Sequence, residues 1–189
     1  MKKASHGLKV FVGVETAVFL LILAILCPEI VAGDFPSVLV DKRKQPCPEI
    51  KTREETSIIV IHHSDTNTGN VEIFRRYHEE ENGWDDIGYH FVITNGNGGF
   101  DGRIEMGRSL EKQGAHAKRR NYNSVGICLV GKNEFTKKQK CSLVLLTAVL
   151  CRFYNIEPSE KTIQGHHEKC PGSGLDLSDI IRRVRQALN

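Results

Sequence analysis

The chain has 189 residues, 40% of them hydrophobic and 26% charged, which suits one globular domain with its own core and a short extension. A formal net charge of only +3 is too weak for a nucleic-acid footprint, while a slightly basic surface is not repelled by an anionic cell wall. Of the six cysteines, Cys27, Cys47, Cys128, Cys141, Cys151 and Cys170, four remain if Cys27 leaves with a leader and Cys170 binds a metal; their spacings match no disulfide framework, so the pairing of Cys47, Cys128, Cys141 and Cys151 stays open.

The first expected element stands outside the fold. Lys2, Lys3 and Lys9 form a basic head, and Val10 to Leu26 then runs with a single charge, Glu15. Residues 1–33 read as a signal peptide or a signal anchor. The apolar run is long for the first and short for the second, so both stay open. Either would place the domain outside the cytoplasm, in a periplasm, at the cell envelope or secreted, with the amino-terminal segment in contact with a membrane. Residues 34–55 contain Pro36, Pro46, Pro48 and the basic run Lys42-Arg43-Lys44. They read as a linker with a strand-like lead-in, and the domain is expected over 56–189.

Within the domain, the β-branched run Ser57 to His62 predicts a buried strand. Val71 to Glu81 predicts a helix with Ile73, Phe74 and Tyr77 on its inner face. Gly88 to Thr94 predicts a second strand closed by the turn Asn95-Gly96-Asn97-Gly98-Gly99, and Arg103 to Gly107 a third. Ser124 to Val130 is apolar throughout, so it predicts a central strand. Thr136 and Gln139 form a capping box that opens a long helix, with Leu143, Leu146, Val149, Leu150 and Phe153 at helical spacing. Thr162 to Gly165 predicts a fifth strand. Ser178 is placed as the cap of a last helix, with Ile180, Ile181, Val184 and Leu188 facing inward. The interleaving predicts an α/β fold, one mixed sheet of about five strands flanked by helices.

Three points along the chain offer soft metal ligands: His62-His63 at the end of the first strand, His166-His167 at the end of the fifth, and Cys170 four residues after His166. Imidazole and thiolate suit zinc, and three protein ligands leave a place for water or substrate. Spacing alone does not choose between the histidines of each pair, nor exclude histidines that serve only packing.

Four ordered stretches carry a resemblance. They are Gly88-Tyr89-His90-Phe91, Gly114-Ala115-His116-Ala117, Asn123 to Gly131, and Gly165-His166-His167-Glu168. Together they resemble the zinc-dependent N-acetylmuramoyl-L-alanine amidases of the amidase-type phage lysozymes and their relatives, the peptidoglycan recognition proteins, over roughly Ser57 to Leu188. The resemblance implies one zinc ion on His62, His166 and Cys170, with His63 in a packing or supporting role. It implies Tyr89 as a catalytic donor to the developing oxyanion, and His116 and Asn123 along the substrate groove. The bond at stake joins the lactyl group of N-acetylmuramic acid to the L-alanine of the stem peptide, so the expected partner is peptidoglycan or its muropeptides. A monomer is expected. His90 should point away from Tyr89 and serve structure or support a zinc histidine, and Trp84 should pack beneath the turn between helix and strand.

One departure stands out. The family places more residues between its second histidine and its cysteine, with a catalytic lysine two before the cysteine. Here only His167, Glu168 and Lys169 intervene. Lys169 is therefore an imperfect match for the oxyanion-stabilising lysine, Glu168 or His167 could serve instead, and the reach of Cys170 to the metal is open. The competing readings are a non-catalytic peptidoglycan receptor on the same fold, a cytosolic enzyme recycling muropeptides, and a phage endolysin. The intact ligand set argues against the first and the export segment against the second.

Overall fold

The computed structural model describes residues 50–167 and 169–189. The expected signal segment 1–33, most of the linker, Cys27, Cys47 and Glu168 lie outside the described residues.

The first strand, β1 (Ile58–His63), is a run of branched side chains in which Ile59, Val60 and Ile61 are fully buried. Helix α1 (Val71–Glu80) begins where the Asn70 side chain accepts the Ile73 N–H, a cap that satisfies one orphan donor of the first turn. Its inner stripe is Val71, Phe74 and His78, while Ile73 and Tyr77 are exposed. This corrects the expected face. The i, i+3, i+7 row wins because Val71 and Phe74 pack against Ile87, Val92, Cys128 and Val130, and because buried His78 is satisfied when its Nδ1 accepts the Gly88 N–H at 3.0 Å. Trp84 lies beside that turn, its ring centroid 4.6 Å from that of His78.

Strand β2 (Phe91–Ile93) is shorter than the expected Gly88 to Thr94. It pairs antiparallel with β3 (Ile104–Met106) and parallel with β4 (Ser124–Leu129). Every residue of β4 is buried, as its unbroken apolar run requires. Helix α2 (Lys137–Phe153) carries the full Thr136/Gln139 capping box. Gln139 is itself buried and donates to the carbonyls of Ile93 and Val130, so the cap also ties α2 to the ends of β2 and β4. Leu143, Leu146, Val149 and Leu150 face inward, but Phe153 in the last turn is exposed, contrary to the periodic reading.

Strand β5 (Ile163–Gly165) joins β1 in parallel. The last helix, α3 (Leu177–Leu188), is capped by Asp176, whose carboxylate accepts the N–H groups of Ser178 and Asp179. The cap is thus two residues earlier than expected, and a carboxylate serves the positive helix end better than a hydroxyl. Ile180, Ile181 and Val184 are buried, and Leu188 is half-buried.

The five strands form one mixed sheet in the order β3-β2-β4-β1-β5, with three helices among the described residues outside it. Alternation divides the sheet chemically. One face carries Ile59, Ile61, Ile127, Leu129, Phe91 and Ile93. The other carries the register-matched His62, Cys128 and Val92, with α1 packed on Val92 and Cys128.

The described end of the expected linker is already part of the domain. Thr52 bridges to Lys112, and the Arg53 guanidinium is buried. It donates to the carbonyls of Leu110, Lys112 and Ser124, bonds Thr56 Oγ1 and the Tyr154 hydroxyl, and meets His90 Nε2 at 2.9 Å.

Candidate metal centre and active site

Parallel strands place their carboxyl ends together, and in open α/β sheets this edge holds the site. Here β1 delivers His62 and β5 delivers His166 to that edge. The His166 N–H continues the ladder by donating to the Ile61 carbonyl, which fixes its backbone beside His62. The two imidazole centroids are 4.7 Å apart.

Cys170 reaches the same place through a tight reversal. His167 and Cys170 exchange two backbone hydrogen bonds, N–H to carbonyl at 3.2 and 2.9 Å. This turns the chain back and buries the thiol to 5% exposure. Sulfur Sγ accepts the His63 N–H at 3.4 Å and stands 4.0 Å from His62 Nδ1. The short segment after His166 is therefore long enough to bring the thiol beside the two imidazoles. One donor atom each from His62, His166 and Cys170 lie within 4.8 Å of one another. His63 is not in this group; its Nδ1 is buried without a hydrogen-bond partner among the described residues.

The electrostatics favour neutral ligands. Burial, then the neighbouring His166 imidazole, holds the His62 pKa well below its ordinary value. Burial and then His167 lower that of His166. Burial raises the Cys170 thiol, partly offset by the N–H of His63. Neutral imidazole is the form that ligates a metal, and a bound cation would reverse the cost of the thiolate.

Tyr89 enters from the loop between α1 and β2. Its ring centroid is 5.3 Å from that of His62 and 5.5 Å from that of His78. Burial, then the nearby Cys128 thiol, raises the pKa of its phenol, which therefore remains a proton donor.

His116 lies behind His62, on the side away from Cys170. It is only 8% exposed, and its Nδ1 lies 3.0 Å from His62 Nε2. Asn123 stands apart from the cluster, at the opposite end of β4. It precedes the residue paired with Ile58, and its Nδ2 donates to Ser57 Oγ. Lys169 is exposed, and among the described residues its ammonium has no hydrogen-bond or ion-pair partner; its backbone N–H donates to His167 Nδ1. His90 is fully buried, its Nδ1 accepting the Gly126 N–H, so it holds β2 to β4.

Three neighbours of the site went unread in the sequence. Arg120 donates to the His166 carbonyl at 2.8 Å and to Gln164, bracing β5 beneath its histidine. Asn121 Oδ1 accepts the N–H groups of both His116 and Ala117. Gly126 leaves room for His116, since a Cβ there would lie 2.5 Å from His116 Cγ. A glycine inside an otherwise apolar strand is the signal that could have revealed this approach.

Residues 52–173 match the family model described as N-acetylmuramoyl-L-alanine amidase. The endolysin of Escherichia phage T7 is 38% identical over 135 residues, covering 65% of this chain and 82% of its own length. The endolysin amidase LysCS of Clostridium intestinale superposes with a TM-score of 0.66 at 26% identity, covering 81% of this chain and 99% of its own. Drosophila PGRP-LB, solved as a variant in complex with tracheal cytotoxin, superposes at 0.58 with 28% identity, covering 70% and 84%. With more than half its length matched to the family model and its histidines and cysteine gathered at one sheet edge, the chain belongs to the N-acetylmuramoyl-L-alanine amidase family.

Proposed function

We propose that this protein hydrolyses the amide bond between the lactyl group of N-acetylmuramic acid and L-alanine in peptidoglycan, using one zinc ion held by His62, His166 and Cys170. The observation that carries the reading is the convergence of two imidazoles and one thiol, one from the end of β1 and two from the reversal after β5, within 4.8 Å. The donor set fits the ion: two nitrogens and a sulfur are borderline-soft, and three ligands are what a catalytic zinc takes from its protein. Bound there, zinc would polarise the scissile carbonyl and supply a water far more acidic than bulk water.

The chain's own residues supply the rest. An amide resists attack because its carbonyl is a poor electrophile. Tyr89, protonated and with its ring 5.3 Å from that of His62, would donate a hydrogen bond to the carbonyl oxygen as charge develops on it. The L-alanine nitrogen must leave with a proton, which a nearby acid has to provide. Lys169, exposed and next to Cys170 in the chain, would approach bound substrate through its side chain. The receptor reading loses ground because the three donors that a hydrolase needs are all present and gathered.

The test is metal content and lysis together. Purified protein should carry about one zinc per chain, and the Cys170→Ala and His62→Ala variants should lose both the metal and the clearing of purified sacculi. Clearing that persists unchanged in metal-stripped protein would refute the zinc reading.

A further inference from the structure

The chain of hydrogen bonds behind His62 has a direction. It begins at the Arg120 carbonyl, which can only accept. Ser124 Oγ lies 2.6 Å from it and must donate. The remaining lone pairs of that oxygen face His116 Nε2 at 3.5 Å, so Nε2 is the nitrogen of His116 that carries a proton. His116 Nδ1 is then an acceptor, and the nitrogen facing it at 3.0 Å is His62 Nε2. In a neutral imidazole only one nitrogen holds the proton. We infer that His116 is a positioning residue that keeps the proton of His62 on Nε2 and so turns the Nδ1 lone pair of His62 toward Cys170 and His166.

Local structure supports this assignment. The backbone of His116 is held by Asn121, which accepts two successive N–H groups at 3.0 and 2.8 Å. The ring has space on the sheet only because residue 126 is glycine. Both imidazoles are nearly excluded from water, His62 at 2% and His116 at 8% exposure, where an uncharged ring is favoured. Two neutral rings can share one proton between them in a single sense, and the Ser124 hydroxyl decides which. A ligand held in the wrong tautomer would present an N–H to the metal, so a distal partner that fixes the tautomer strengthens binding. Removing such partners costs about 10- to 100-fold in metal affinity.

This inference rests on the zinc reading above, and two measurements on the full chain keep them separable. The first is zinc affinity by competition with a chromophoric chelator. His116→Leu should bind zinc about 10- to 100-fold more weakly than the wild type. His116→Asn, which restores an acceptor near the position of Nδ1, should recover most of that loss. The second is histidine-selective nitrogen-15 NMR of the zinc-free protein, where His62 should carry its proton on Nε2. Should His116→Leu fail to fold, the spectrum of the wild type alone still decides the tautomer of His62. Unchanged zinc affinity in folded His116→Leu, or a His62 proton found on Nδ1, would overturn the inference. A wild type that binds no zinc would remove the metal reading alone, and the tautomer would still decide the role of His116.

Discussion

Tyr89 places its phenol in the rim of the histidine cluster, and its ring packs against the apolar group around Val92 and Cys128. Tyr89→Phe removes one hydroxyl and leaves that packing, so fold and zinc should survive. If the hydroxyl donates to the oxyanion, kcat should fall by about 100- to 1000-fold, roughly 3 to 4 kcal/mol. A steady-state rate on a muramoyl-peptide substrate, with zinc assayed in parallel, decides this; an unchanged rate removes the phenol from the mechanism. Lys169→Ala should cost less than Tyr89→Phe, because the ammonium is exposed and unpartnered among the described residues. The pairs His62-His63 and His166-His167 and the nearby Cys170 could be picked out in the sequence as candidate ligands, and Tyr89 as part of Gly88-Tyr89-His90-Phe91, while the choice within each pair came from the family resemblance. His116 could be picked out as a residue but not for its place. Its partner is 54 positions away, and only the packing of the loop onto Gly126 brings the rings together.

At the level of elements, strand and helix identities followed from periodicity, while their faces and ends followed from contacts that periodicity does not encode. The capping box of α2 was readable because both its members lie within four residues. The cap of α3 was misplaced because Asp176 and Ser178 are both good capping residues, and the choice depends on where the chain leaves the loop. Asp176→Ala should therefore destabilise the domain by about 1 kcal/mol, seen as a lower urea midpoint, with Ser178→Ala close to neutral. The reverse order would return the cap to Ser178. On α1, Ile73 and Tyr77 looked like core from composition. His78 displaced them because a buried imidazole with a backbone donor at 3.0 Å is stable there.

The whole molecule depends on polar groups that the sequence did not announce. Arg53 reaches from before β1 to the carbonyls of Leu110, Lys112 and Ser124 and to His90, joining the lead-in to the face that holds the site. Burial, then the Arg53 charge, pushes His90 down to about 3. Its folded pKa is thus below the unfolded value of about 6.5. The stability linked to His90 is fully present above pH ~6.5 and is lost as pH falls from there toward ~3, because the unfolded chain takes up the proton first. Between pH 6 and 4 the wild type should lose on the order of 1 kcal/mol more per pH unit than His90→Gln in urea unfolding; parallel profiles would contradict this. The order of the strands was not readable either, since sheet order rests on contacts between distant segments. The class was readable, because alternating strands and helices leave few ways to bury one sheet.

The proposed chemistry cuts one defined bond. Purified sacculi digested with the zinc-loaded protein, followed by mass spectrometry of the soluble products, identify that bond directly. Intact stem peptides with a free L-alanine amine and glycan strands bearing free lactyl carboxylates are expected, with neither product formed by Cys170→Ala. Sacculi that bind the wild-type protein yet release no free L-alanine amine, or that release only fragments cut within the glycan or between stem residues, would contradict it.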